Sequence, residues 1–301
     1  MESSQKFDSL AQLDLTNNIY QYWPSAVCEE NTTASVWHRD PLDLSSNRLI
    51  AGVSSPELMV FTPEESNGIG IVVFPGGSYQ RLSIDNEGRD IGNTFTKFGY
   101  TVFVATYRMP GEGHSYGSET SLADAQRAVR WVRVNREKWN IEQVGILGFS
   151  AGGHLAGQLA TRFNTTVYDA LDNTDTLSAK PDFCGLIYPV VTMDTEFGHK
   201  GSAIELLGSD ITEETLQRYS IEKCVHAKMA PCFLVHSSDD DSVPVENSIV
   251  LWQALRSQQV PVEMHLFNEG GHGFGITKVK DKPAHQWPTL FHKWVSYILK
   301  I

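Results

Sequence analysis

From residue 57 onward, short apolar runs rich in β-branched residues alternate with stretches whose apolar positions recur every three or four residues. Runs of the first kind, closed by Gly or Pro, read as strands; spacing of the second kind reads as amphipathic helix. ELMVFTP and GIGIVVFPGG are the first two predicted strands. NEGRDIGNTFTKFGY then predicts a helix, with Ile91, Phe95 and Phe98 on one face and Gly99 ending it. TVFVATYR is the next strand. In SLADAQRAVRWVRVNREKW, Leu122, Ala125, Val129 and Val132 line one helical face, and Ser121 with Asp124 resembles a capping box. VGILGF, FCGLIYPVV, PCFLVHSS and VPVEMHLF read as strands, AGGHLAGQLATRF and ENSIVLWQALRSQ as helices. A final helix carries Trp287, Leu290, Phe291, Trp294, Val295 and Ile298 as a wide apolar stripe.

The predicted strands lack a polar face. Strands buried on both sides and alternating with helices predict an α/β fold: a mostly parallel twisted sheet covered on both faces. Residues 1–56 are polar and irregular, punctuated by Pro24, Pro41 and Pro56, and are expected to form an N-terminal segment packed on a 57–301 domain. The rhythm breaks at about 191–229, where mixed polarity predicts two short helices. In a doubly wound sheet, such a small insertion is expected to lie over the carboxyl ends of the strands, where ligands bind. No internal repeat interrupts this order.

The 301 residues suit one large α/β unit, and 41% hydrophobic with 20% charged residues is an ordinary soluble composition. A net charge of −12 repels phosphate backbones, so nucleic acid is not an expected partner. No run of 18 apolar residues predicts a membrane span. The N-terminal stretch lacks the basic start and apolar core of a signal peptide, which makes the cytoplasm the expected location. Asn31 and Asn164 head N-x-T triplets, too common a pattern to argue for secretion. Cys28, Cys184, Cys224 and Cys232 are scattered without a CxxC pair; buried free thiols are expected, and no zinc site or disulfide framework.

Chemistry enters at GILGFSAGGHLAG. Ser150 stands between a predicted strand and a predicted helix, with Gly148, Gly152 and Gly153 around it. A nucleophilic serine on a sharp strand-to-helix turn needs such small neighbours, although a glycine-rich turn without chemistry has the same look. A serine hydroxyl also needs a base, and the base an orienting carboxylate. Of the ten histidines, His272 in NEGGHGFGI follows a predicted strand and sits among four glycines that can hold it in an exposed loop. His154 lies inside the helix after Ser150 and is expected to pack or cap locally. His114, His199, His226 and His236 lack a comparable setting, and His236 is expected to end a strand. In SSDDDSVPVENS, after another strand, Asp239, Asp240 and Asp241 compete for the acid. An oxyanion needs preorganised donors. Gly77 and Ser78 of FPGGSYQ, with Ala151 after the serine, are candidates through their N–H groups.

Taken together, VVFPGGSYQ, TYRMP, SLADAQRAVRWVR, GILGFSAGGHLAG, LLGSD, SSDDDSVPVENS and GGHGFG resemble the α/β-hydrolase superfamily, in particular its acetylxylan-esterase-like group of small carbohydrate esterases. The resemblance runs in order from about residue 57 to 295. It implies an α/β-hydrolase fold, removal of short acyl groups (typically acetyl) from sugar hydroxyls, and neither metal nor other cofactor. It aligns His236 through Pro244 with the loop bearing the triad acid, which assigns Asp240, and it makes His272 the base. Two departures stand out: Ser78 replaces a glycine of the usual P-G-G-G-Y turn, and Ser237 replaces the glycine of the acid loop. Tyr79, Glu87, Tyr107, His199 and Trp287 are candidate substrate-binding residues, with a core role competing for Trp287. The charged insertion disfavours long fatty esters. Rival readings are a general short-chain carboxylesterase, a small peptidase-like hydrolase, and a hydrolase-fold protein that only binds a ligand.

Overall fold

The structure, a computed structural model, describes residues 4–13, 18–25, 34–38, 47–193 and 196–300. Cys28, Asn31 and Pro41 lie outside the described residues. The strands, in chain order, are β1 (Ser4–Lys6), β2 (Ile19–Gln21), β3 (Ser35–His38), β4 (Arg48–Ala51), β5 (Glu57–Phe61), β6 (Ile69–Phe74), β7 (Leu82–Ser83), β8 (Thr101–Ala105), β9 (Gln143–Phe149), β10 (Cys184–Ile187), β11 (Cys232–Ser237) and β12 (Val262–Phe267). The α-helices are α1 (Asp90–Phe95), α2 (Thr120–Val134), α3 (Ser150–Arg162), α4 (Lys200–Leu207), α5 (Glu213–Tyr219), α6 (Glu246–Ser257) and α7 (Trp287–Leu299).

An eight-stranded sheet in the order β12-β11-β10-β9-β6-β8-β5-β2 carries the core. The six strands from β12 to β8 run parallel, and β5 and β2 are antiparallel additions at one edge. β6 and β8 are buried at every position, and β9 at all but its first, as expected of strands covered on both faces. The chain steps from β6 to β8 in one direction and then from β8 through β9 to β12 in the other. Right-handed crossovers therefore put α1 on one face and α2, α3 and α6 on the opposite one. The last helix, α7, returns to the face of α1, where the Phe95 ring centroid lies 5.5 Å from that of Phe291 and 5.7 Å from that of Trp287. Cys184 and Cys232 are buried free thiols on the neighbouring strands β10 and β11, and Cys224 is half-buried.

The N-terminal residues are more regular than their composition suggested. β2 extends the main sheet, and β1, β3, β4 and β7 form a second, antiparallel sheet of four strands. Strands of three or four residues are too short for an alternation to stand out; their partners define them. Tyr22 donates to the Thr106 carbonyl at 2.7 Å, and Trp23 Nε1 to Asp124 at 2.7 Å, so this layer is tied to the main unit by buried side chains.

The expected capping box at Ser121 and Asp124 is corrected. The helix begins at Thr120, and Asp124 lies on its buried face, where its carboxylate accepts the backbone N–H and guanidinium of Arg108. Ser121 donates to the Arg108 carbonyl instead. Residues 191–229 hold α4 and α5, and Gln80 Nε2 in the loop after β6 donates to Glu205 of α4 at 2.7 Å. Among the described residues no helix is long and apolar enough to cross a membrane.

Because the central strands are parallel, their carboxyl ends share one rim. Phe74 at the end of β6 pairs with Gly148 near the end of β9, which brings the loop at residues 75–78 beside Ser150. The loops after β11 and β12 emerge on the same rim.

Candidate active site

The turn from β9 into α3 places Ser150 at φ 51°, in the left-handed region. A non-glycine residue there costs about 1–2 kcal/mol, which the surrounding close packing must offset. That packing depends on missing side chains. A Cβ on Gly152 would run into the carbonyl oxygens of Phe74 and Pro75. Ser150 Oγ lies 2.8 Å from His272 Nε2, and His272 Nδ1 lies 2.7 Å from Asp240 Oδ2. Nδ1 donates to the carboxylate, which leaves Nε2 to accept the serine proton. A hydroxyl aimed at an imidazole that a buried carboxylate orients is the arrangement that makes serine nucleophilic.

Asp240 is 7% exposed and fully engaged. Its Oδ1 accepts the N–H groups of Ser242 and Val243, at 3.0 and 2.8 Å. Its Oδ2 also lies 3.3 Å from His236 Nε2. Burial pushes this carboxyl up, but hydrogen bonds from His236, His272 and Val243 and the charge of His272 outweigh it and hold the group well below the usual carboxylate range. Asp239 is exposed and does a different job: its Oδ1 accepts the N–H groups of Gly270 and Gly271, at 2.8 and 2.7 Å, just ahead of His272. Those bonds, led by Gly271, lower its pKa. Asp241 is exposed.

Two planar peptides set the directions of the candidate oxyanion donors. The Gly76 carbonyl accepts the Ser83 N–H at 2.9 Å, which turns the Gly77 N–H of the same peptide the opposite way. The Gly77 carbonyl accepts the N–H groups of Gln80 and Arg81, at 3.0 and 3.2 Å, and so fixes the Ser78 N–H likewise. Among the described residues nothing accepts the N–H of Gly77 or Ser78. Ser78, where the resemblance has glycine, takes φ 61°. Ala151 is in the first turn of α3, where backbone N–H groups lack intrahelical acceptors. A pocket of about 130 Å³ opens here, with Gly77, Ser78, Arg81, Glu87, Ser150 and His272 in its lining. Larger cavities, of about 270 and 790 Å³, lie in the N-terminal layer and beside the β5–β6 turn, away from these groups.

The candidate substrate-binding residues fare differently. Tyr79, Tyr107 and Trp287 are at most 1% exposed: Tyr79 and Tyr107 are corrected to core positions, and Trp287 takes the core role that its amphipathic helix favoured. Tyr79 donates to His154 Nδ1 at 2.7 Å, and His154 Nε2 donates to the Tyr219 carbonyl at 2.7 Å. Tyr107 donates to the Pro75 carbonyl at 2.6 Å, and Trp287 Nε1 to the Gly275 carbonyl at 2.8 Å. Tyr107 and Trp287 thus tie down the loops at Pro75 and Gly275, and Tyr79 anchors its own loop to α3. Glu87 lines the pocket, but its oxygens accept the Gly76 N–H and the Tyr188 hydroxyl. His199 caps α4 by accepting the Ser202 N–H, and is half-buried. Burial, with the nearby charge of His272, lowers its pKa, and Asp240 opposes this. It borders a separate apolar hollow of about 200 Å³ with Met193, Ala203, Ile204, Ile211 and Leu216. The supporting roles of His236, Asp239 and Tyr188 escaped the sequence reading; the only signal for any of them was their place next to the ends of apolar runs.

Residues 59–255 match the BD-FAE family model. The chain is 33% identical over 227 residues to an acetylxylan esterase of Xylanibacter ruminicola, covering 73% of this chain and 44% of that protein. It is 36% identical over 219 residues to endo-1,4-beta-xylanase B of Butyrivibrio fibrisolvens, covering 72% and 34%. The chain therefore spans less than half the length of these curated relatives. The crystal structure of an acetyl ester-xyloside bifunctional hydrolase from Caldicellulosiruptor lactoaceticus superposes with a TM-score of 0.77 at 32% identity, covering 93% of this chain and 96% of that one. The fold is that of the α/β-hydrolases.

Proposed function

The chain belongs to the BD-FAE family, and on that premise we propose that it is a serine esterase that removes short acyl groups, acetyl above all, from sugar hydroxyls such as those of acetylated xylo-oligosaccharides. The observation that carries the reading is the unbroken line from Ser150 through His272 to Asp240, with hydrogen-bond lengths of 2.8 and 2.7 Å. The names of the relatives supply the substrate class: an acetylxylan esterase and an acetyl ester-xyloside hydrolase. The small, mostly polar pocket beside Ser150 suits a sugar acetate better than a long acyl chain.

In this mechanism His272 takes the proton of Ser150 as Oγ attacks the ester carbonyl. The N–H groups of Gly77, Ser78 and Ala151 hold the oxyanion in the tetrahedral intermediate. Asp240 keeps the His272 tautomer and stabilises the imidazolium. His272 then protonates the departing sugar oxygen. Water, deprotonated by the same imidazole, attacks the acyl-serine and releases acetate.

Acetate release from acetylated xylo-oligosaccharides tests this reading. Ser150→Ala is expected to lower turnover by about 10⁶-fold. Near wild-type hydrolysis of 4-nitrophenyl acetate by that variant would refute the nucleophile, and a steep preference for octanoyl over acetyl esters would refute the sugar-acetate substrate.

A further inference from the structure

Beside the proposed chemistry lies a buried carboxyl that the mechanism leaves unused. Glu87 is 4% exposed, in the wide turn at residues 85–89 between β7 and α1. Its Oε2 accepts the Gly76 N–H at 2.7 Å, and its Oε1 accepts the Tyr188 hydroxyl at 2.9 Å. The Tyr188 oxygen in turn accepts the Gly275 N–H at 3.0 Å. Two side chains thus join the loop carrying the candidate oxyanion donors to the loop carrying His272. Gly76 is wedged in this join: a Cβ there would lie 2.8 Å from Ser150 Cβ and 3.0 Å from Glu87 Oε2. The Tyr188 ring meets the His272 ring edge-on, with centroids 5.3 Å apart.

We propose that Glu87 is a positioning residue whose two carboxylate oxygens hold the oxyanion loop against the base loop, and whose negative charge stabilises the imidazolium that His272 becomes. The inference rests on the serine-esterase reading. An oxyanion donor works only if it already points at the site where charge develops. The Ser83 N–H fixes the tilt of the Gly76–Gly77 peptide, and Glu87 fixes the preceding peptide through the Gly76 N–H. With both ends held, the Gly77 donor cannot turn away.

The charges around the pair are few. Glu87 faces His272 and Lys278, with the phenols of Tyr107 and Tyr188 against it. His272 faces Asp240, Glu87 and His199. Burial pushes the Glu87 carboxyl up and outweighs the Gly76 N–H, His272, the Tyr188 hydroxyl and Lys278, which all favour its ionised form, so its pKa lies above the usual carboxylate range. A glutamine replaces it poorly: if its carbonyl accepts from Gly76, its amide turns donor hydrogens toward Tyr188, whose hydroxyl must then turn its own proton away and lose its acceptor.

The test compares pH profiles of 4-nitrophenyl acetate hydrolysis for Glu87→Gln, Glu87→Asp and Tyr188→Phe, with active serines counted by a fluorophosphonate probe. In Glu87→Gln, kcat per labelled site is expected to fall about tenfold or more with KM within about twofold. The acid limb of kcat/KM is expected to move to lower pH, because the imidazolium loses a neighbouring negative charge. Glu87→Asp keeps the charge but loses reach, so kcat falls and the acid limb stays. Tyr188→Phe also loses kcat with an unmoved limb. Wild-type kcat or an unmoved limb in Glu87→Gln overturns the proposal. Should Glu87→Gln fail to fold, Tyr188→Phe lacks only one oxygen and decides alone: kcat within twofold of wild type overturns it. A wild-type protein that neither hydrolyses the ester nor labels at Ser150 overturns the esterase reading instead.

Discussion

The two halves of the site are held by different physics. On the nucleophile side, Ser150 and the Gly76–Ser78 loop are fixed mainly by steric exclusion and backbone hydrogen bonds, at points where a Cβ on Gly76 or Gly152 would collide with main chain, with Glu87 adding a side-chain bond to the Gly76 N–H. On the base side, Asp240 and His272 sit in two loops that side chains hold in place. Asp239 grips Gly270 and Gly271, Asn86 Nδ2 donates to the Gly273 carbonyl at 3.0 Å, and Trp287 donates to the Gly275 carbonyl. A sterically fixed half tolerates no added atom and leans on few distant side chains, here Glu87 at the Gly76 N–H and Tyr107 at the Pro75 carbonyl. A half fixed by side-chain bonds can be loosened from far away in the chain, and by degrees.

The largest break in this comparison is expected at the acid. Asp240→Asn puts an amide where His272 Nδ1–H needs an acceptor and where the Ser242 and Val243 N–H groups already occupy the other oxygen. An amide aimed at Nδ1 favours the wrong tautomer, and kcat should fall about 10⁴-fold with the fold retained. Asp241→Asn, changing an exposed neighbour, should leave kcat within about twofold. If the two variants lose activity equally in steady-state assays, the base side does not depend on the carboxylate at 240.

That contrast also explains what could be read from the chain. The parallel sheet was legible because β6, β8, β9 and β11 are buried over nearly their whole lengths and so appear as unbroken apolar runs. Ser150 was legible because sterics demand glycine close by in sequence. His272 was marked by its glycines, but among three aspartates nothing local selects Asp240; the loop geometry does, by turning Asp239 toward Gly270 and Asp240 inward. Tyr79, Tyr107 and Trp287 looked like pocket residues because aromatic rings near reactive motifs serve either substrate or scaffold, and only their hydrogen bonds to His154, Pro75 and Gly275 tell which. The N-terminal strands were illegible for a related reason: each is defined by a partner elsewhere, as β2 is by β5.

A buried histidine gives the nucleophile side a dependence on titration, which sharpens the comparison. His154 is fully buried between Tyr79 and the Tyr219 carbonyl, and burial lowers its pKa to about 4 despite the hydrogen bond to Tyr219. Its folded pKa is thus below its unfolded value. The stabilisation is complete above about pH 6.5, is lost as pH falls from there toward 4, and changes no further below. The full loss is on the order of 3 kcal/mol. Urea unfolding of wild type and His154→Gln across this range should show a gap that narrows as the pH drops. Parallel curves would mean that this histidine titrates as it does in the unfolded chain.

A much smaller loss than at Asp240 is expected at Asp239, which separates gripping a loop from acting through it. Its carboxylate is exposed, and it accepts the two N–H groups ahead of His272, with a further hydrogen bond from Ser237. Hydrogen bonds from backbone N–H to an exposed carboxylate are worth about 1 kcal/mol each in net terms. Even if both bonds are lost in full, about 2 kcal/mol, Asp239→Ala should lower kcat/KM by no more than about 30-fold. Asp239→Asn keeps a side-chain oxygen that can accept the same two donors and should recover most of that loss. Thus a neutral acceptor restores function at 239, whereas at 240 the same exchange of Asp for Asn should abolish it. Equal losses for Ala and Asn at 239 would show that its charge, not its grip on Gly270 and Gly271, is what the base loop requires.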